Sequence, residues 1–117
     1  MTNSLHIDSR ITGSDSAVLS LQGEVDVANS DEFKRAALAL LEGGVKRLVV
    51  DLSRTEYIDS AGLGILVGLL KRTNESHLEL IVAGAQPRVQ RVFEITGLNR
   101  VFAMRADVNA AVQEVAS

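Results

Sequence analysis

Leu48-Val49-Val50-Asp51-Leu52, followed after five residues by Ile58-Asp59-Ser60-Ala61-Gly62-Leu63-Gly64, decides how the chain folds. The first run is short and mostly apolar, the pattern of a strand buried in the middle of a parallel sheet. The second opens on a polar Asp-Ser pair and passes into an apolar helical run that extends to about Thr73, before Asn74-Glu75-Ser76 breaks it. Between them, Ser53-Arg54-Thr55-Glu56 reads as the connection. Strand, connection and helix in this order are one half of an α/β crossover. A serine where the helix begins lies at the positive end of the helix dipole, beside backbone N–H groups without an intrahelical partner, a place that favours an anion such as phosphate.

Working outward, Leu5, Ile7 and Ile11 alternate with polar residues, Gly13-Ser14-Asp15 supplies turn chemistry, and Ala17 to Gln22 resumes as a strand, so a hairpin opens the domain. Gly23-Glu24-Val25-Asp26 ends that strand, and Asn29-Ser30-Asp31-Glu32 starts a helix that runs to about Glu42, with Phe33, Ala37, Leu40 and Leu41 on one face and Gly43-Gly44 closing it. Lys46-Arg47 reads as a solvated start to the central strand. Leu78 to Ala83 is a further strand, Pro87 opens a third helix that Gly97 ends, and Val101 to Met104 is a short last strand. Asp107 caps a final helix whose apolar face is Val108, Ala111, Val112 and Val115. The expected fold is an α/β (mixed α+β) single domain over residues 1–117, with a mixed sheet of four to five strands and four helices.

Composition bounds the function. With 117 residues, 46% hydrophobic and 23% charged, there is material for one core and one site. A net charge of -3 and no basic stripe argue against direct nucleic-acid binding. The absence of cysteine removes disulfides, thiolate nucleophiles and Cys-type zinc sites, and no signal peptide is visible, so a cytoplasmic setting is expected. The most apolar run, Ala61 to Leu70, is interrupted by Gly62, Gly64 and Gly68 and is shorter than the ~20 residues of a spanning helix, so no membrane insertion is expected.

The helix after Asp59-Ser60 has two unlike sides. Leu63, Leu66, Leu69 and Leu70, with Val67 at the edge, form the core side. The other carries Ser60, Ala61, Gly64, Gly68, Lys71 and Arg72, and two interior glycines cost a helix about 1 kcal/mol each relative to alanine. Close approach of another backbone explains such a strip. That backbone belongs either to a neighbouring element of the same fold, with Ser60 serving only as the N-cap, or to a docked partner, with Ile65 at the rim as an apolar anchor. A phosphate on Ser60 would add roughly -1.5 to -2 charges beside Asp59, and Glu24 and Asp26 join them if the loops converge at one end of the sheet. Enzymatic catalysis is not expected: the surroundings lack Gly-x-Ser-x-Gly, and neither His6 nor His77 is placed as a base. Gly62-Leu63-Gly64 lacks the lysine and spacing of a P-loop, which leaves at most weak nucleotide binding at the helix terminus and no required cofactor. Arg88 and Arg91 read as solvated residues of the third helix.

The set Gly23-Glu24-Val25-Asp26, Asp51-Leu52-Ser53, Ile58-Asp59-Ser60-Ala61-Gly62-Leu63-Gly64 and Ile95-Thr96-Gly97-Leu98 resembles a STAS domain of the anti-sigma factor antagonist family, in order and spacing over nearly the whole chain. The resemblance implies a STAS-like sandwich. It implies a partner-switching cycle in which the unphosphorylated domain binds an anti-sigma factor serine kinase of the histidine-kinase-like ATPase fold and frees a sigma factor. In that cycle the kinase phosphorylates the serine after the aspartate, here Ser60, and a PP2C-type phosphatase reverses it. The implied partner-binding residues are Glu24, Asp26, Asp59, Ser60, Ala61, Gly62, Gly64, Ile65, Gly68, Lys71 and Arg72. Many members carry a second serine after the phosphorylated one; here that position is Ala61. Other STAS domains are unphosphorylated scaffolds in stress, transport or lipid-trafficking complexes, the alternative the resemblance leaves open.

Overall fold

Alternating strands need cover on one face and wholly apolar ones on both, and the chain supplies it by crossing over with helices. The computed structural model describes residues 5–113. The elements are β1 (Leu5–Thr12), β2 (Ser16–Val25), α1 (Ser30–Glu42), β3 (Arg47–Asp51), β4 (Thr55–Ile58), α2 (Ser60–Glu75), β5 (Glu79–Ala83), α3 (Pro87–Thr96), a 3₁₀ turn (Leu98–Arg100), β6 (Ala103–Arg105) and α4 (Val108–Val112). The six strands form one mixed sheet in the order β1-β2-β3-β5-β6, with β4 paired to β2 beyond the end of β3. The opening hairpin is antiparallel and the other pairs are parallel.

Period-two alternation divides the core. Ala17, Leu19 and Leu21 of β2 join Leu48, Val50 and Val82 under Phe33, Ala37 and Leu41 of α1, Leu66 and Leu69 of α2, and Val89 and Phe93 of α3. Val18, Val49, Ile81 and Ala83 face the other way and meet Ala111 of α4. The result is the mixed α/β sandwich expected, with three helices on one face of the sheet and one on the other.

Three expectations change. The strand count becomes six, because Thr55–Ile58, read as part of a connection, pairs with Gly23–Val25 of β2. Its ends Thr55 and Ile58 are buried, and the Thr55 hydroxyl donates to the Leu21 carbonyl at 2.7 Å. Arg47 is not solvated: it is 8% exposed, and its guanidinium donates to both carboxylate oxygens of Glu79, at 3.1 and 3.3 Å, on the adjacent strand β5. The last strand begins two residues later than read, since Leu98–Arg100 continues the helical path after Gly97, which holds the left-handed conformation (φ 78°) that glycine tolerates. Asp107 caps α4 as expected, by accepting from the Ala110 N–H at 2.8 Å; Val115 lies outside the described residues.

Candidate functional site

The carboxyl ends of β2 and β4 stop side by side, and the loops leaving them meet. Asp59 ends β4 in extended backbone geometry and caps α2: its Oδ1 accepts from the N–H groups of Ala61 (2.9 Å) and Gly62 (3.1 Å). Its Oδ2 accepts from the Val27 N–H at 3.2 Å, and its own N–H donates to the Val25 carbonyl at 3.0 Å. One aspartate therefore closes the helix terminus and fastens the loop between β2 and α1 to it.

That loop is organised by its own side chains. Asp26 Oδ1 accepts from Ala28 (2.9 Å) and Asn29 (3.2 Å) N–H groups, and Asn29 Oδ1 accepts from the Asp26 N–H at 2.9 Å. Asn29 also donates through Nδ2 to the Glu24 carbonyl at 2.8 Å, and its buried side chain gives the helix no cap bond. The loop thus presents Val27, 78% exposed, beside the head of α2. No motif in the sequence singles out Val27; a lone apolar residue between two turn-forming aspartate and asparagine positions is the signal that could have.

Ser60 is the first residue of α2 and is exposed. It is not the N-cap, because Asp59 has that role. The helix terminus also differs from the expected anion-binding nest: the N–H groups of Ala61 and Gly62 are already bonded to a carboxylate. Two of the donors on which weak nucleotide binding at this terminus was based are thus occupied. A phosphate on Ser60 would follow directly in the chain on a carboxylate that already caps the helix.

The small residues of α2 separate into two roles. Gly62 is buried, and a Cβ there would lie 2.7 Å from Ile58 Cγ1 and 2.8 Å from Val25 Cγ1, so it lets α2 sit on the ends of β2 and β4 and offers no surface to a partner. Gly64 and Gly68 are exposed, and a Cβ on either would meet nothing within 4 Å, so no neighbouring element of the fold exploits them. Both line an open groove of about 450 Å³ between α1 and α2, together with Ile65, Leu69, Lys71, Arg72 and Glu75 of α2 and Lys34 and Leu38 of α1. Lys34 and Leu38 were not expected there, since the α1–α2 packing that brings them across is a tertiary contact. Arg72 makes a loose, exposed ion pair with Glu42 at 3.6 Å. Val67, assigned to the edge of the core, is 43% exposed.

The structure thus brings together Asp26, Asp59, Ser60 and Ala61 at the loop junction, with Gly64, Ile65, Gly68, Lys71 and Arg72 continuing along α2. Glu24 stands apart from the groove, in a surface recess with Glu56, Tyr57, Gln86, Pro87 and Arg88. Among the described residues, no group of His, Cys, Asp or Glu side chains could hold a metal ion, and no helix is long and apolar enough to cross a membrane.

The STAS domain family profile matches residues 6–111, nearly the whole chain. The anti-sigma-B factor antagonist of Staphylococcus aureus (strain NCTC 8325) is 40% identical over 76 residues, covering 65% of this chain and 70% of its own. An anti-sigma factor antagonist from Mycobacterium paratuberculosis superposes with a TM-score of 0.77 at 24% identity, over 95% of this chain and 92% of that one. The anti-sigma factor antagonist SpoIIAA in its unphosphorylated form superposes with a TM-score of 0.78 at 22% identity, over 92% and 93%. These two likenesses concern the fold. Sequence profile, relative and architecture agree, and the chain belongs to the STAS domain family.

Proposed function

We propose that the protein is a cytoplasmic anti-sigma factor antagonist: unmodified, it binds an anti-sigma factor serine kinase and releases a sigma factor, and phosphorylation of Ser60 ends that binding. The observation that carries the reading is Ser60 itself, an exposed residue on the first turn of α2, next in the chain to the capping Asp59 and one turn before Gly64, where the cation-rimmed groove begins. The 40% identical relative is named an anti-sigma-B factor antagonist, and SpoIIAA, whose fold is shared, is known in a phosphorylated form.

In the modification step Ser60 Oγ attacks the γ-phosphorus of ATP on the kinase, the bond to the β-bridging oxygen breaks, ADP leaves, and the hydroxyl proton passes to a base of the kinase. The chain is substrate and not catalyst. The new phosphate, of roughly -1.5 to -2 charges, stands beside Asp59, whose carboxylate already satisfies the helix end, so repulsion and desolvation oppose any partner that must cover the junction. A PP2C-type phosphatase restores the hydroxyl by delivering water to the phosphorus. The groove favours a docked partner segment carrying carboxylates, since Lys34, Lys71 and Arg72 outnumber Glu75 around it.

Incubating the chain with the anti-sigma kinase of its source organism and ATP, then mapping the modified peptide, tests this. Phosphate on Ser60, absent from Ser60→Ala, is expected. Modification elsewhere, or none, would leave an unphosphorylated scaffold as the better description.

A further inference from the structure

Apart from the four-residue β4, which pairs only with β2, the sheet ends in β6 on one side and β1 on the other, and these two edges are treated differently. β6, at one end, has three residues, and a short edge offers little to another strand. β1, at the other, has eight, pairs with β2 without a bulge from Leu5 to Thr12, contains no proline, and has β2 as its only strand neighbour among the described residues. Its outer N–H and C=O groups form a template for a further strand. Charged residues on an edge ordinarily repel such a strand, so what decides is how the charges of β1 meet those of an incoming one.

Asp8 and Arg10 are exposed and share the face of β1 that carries His6, while Ile7 and Ile11 share the other, where Ile7 packs on the core and Ile11 is left 62% exposed. For two copies of β1 running antiparallel about a two-fold axis through Ser9, Asp8 of each copy stands opposite Arg10 of the other, and Ile7 opposite Ile11. Sliding by two residues one way places Asp8 against Asp8; sliding the other way places Arg10 against Arg10. A slide by one residue turns the faces inside out. The charges of this edge therefore disfavour the neighbouring registers and favour one, in which two opposite-charge pairs and two isoleucine pairs form and the exposed Ile11 is covered, Asp8 turning from its exposed contact with His6 at 3.1 Å to the incoming Arg10.

We propose that β1 is the interface for a second copy of this chain, extending the two sheets into one of twelve strands, six from each copy. The seam is centred on Ser9, which pairs with Leu19, six residues before Val25, and on the side of β2 away from β3 and β4. At ~3.3 Å per residue that is about 20 Å along the strand, so both Ser60 sites stay accessible.

Sedimentation of the full chain over a concentration series tests the proposal, since both charges are exposed and reversible without disturbing the core. Wild type is expected to dimerise, Asp8→Arg and Arg10→Asp each to weaken the dimer by at least about tenfold, and the double variant to restore it. Register is read separately. The chain has no cysteine, and Ser9→Cys, on the axis, is expected to cross-link on mild oxidation, because paired antiparallel residues lie within disulfide reach, whereas Ser14→Cys in the turn is not. A wild-type chain monomeric throughout, a dimer indifferent to either charge reversal, a double variant that stays monomeric, or equal cross-linking of the two cysteine variants overturns the proposal. Ser60→Ala is expected to dimerise as wild type does, which keeps this result independent of the phosphorylation test.

Discussion

Asp59 binds two structural features through one carboxylate, the head of α2 and the loop holding Val27. Asp59→Ala is expected to lower the free energy of unfolding by about 1–2 kcal/mol, read from urea denaturation, with Asp59→Asn losing less because asparagine also caps well. The glycines of α2 make a sharper comparison. Gly62→Ala drives a methyl group into Ile58 and Val25 and is expected to cost about 1–3 kcal/mol, while Gly64→Ala and Gly68→Ala meet empty space and are expected to stabilise by up to ~1 kcal/mol each. If the strip is a docking face, the two stabilising variants bind the kinase more weakly, and a titration calorimetry series beside the denaturation curves separates the effects. The Asp-Ser junction was legible in the sequence because cap chemistry is local. That Gly62 is buried while Gly64 and Gly68 are not depends on where Ile58 and Val25 lie, which spacing along one helix does not reveal.

The strand Thr55–Ile58 shows where local patterning stops. Thr-Glu-Tyr-Ile buries only its two ends, has a charge in the middle, and carries too few residues for a visible alternation; it is a strand because the last residues of β2 are there to pair with it. Its Thr55 hydroxyl reaches the Leu21 carbonyl in a buried position, so Thr55→Val is expected to cost about 1–2 kcal/mol and Thr55→Ser distinctly less, measured by thermal unfolding. Arg47 makes the same point, for its partner Glu79 is 32 residues away and is brought beside it by the β3–β5 register. By contrast, the hairpin, α1, α3 with its Pro87 and Gly97, and β5 were readable, since each declares itself by periodicity and by punctuation at its ends.

At the scale of the molecule, a net charge of -3 conceals a local reversal: the groove between α1 and α2 is rimmed by Lys34, Lys71 and Arg72. Reversing Lys71 and Arg72 to glutamate is expected to cost at most about 1 kcal/mol, since Arg72 loses its exposed pair with Glu42 and position 71 then faces Glu75, and to slow association with the kinase with a reduced salt dependence, measurable by stopped-flow mixing at several ionic strengths. The groove begins at Gly64, one helical turn after Ser60 on the same side of α2, so a partner large enough to extend past the groove by a turn would also cover Ser60 and so link one hydroxyl to the docking face. The affinity of the purified anti-sigma kinase for this chain, unmodified and stoichiometrically phosphorylated on Ser60, measures that link directly. Phosphorylation is expected to weaken binding by at least about tenfold, or ~1.4 kcal/mol; equal affinity of the two forms would contradict a switch at Ser60.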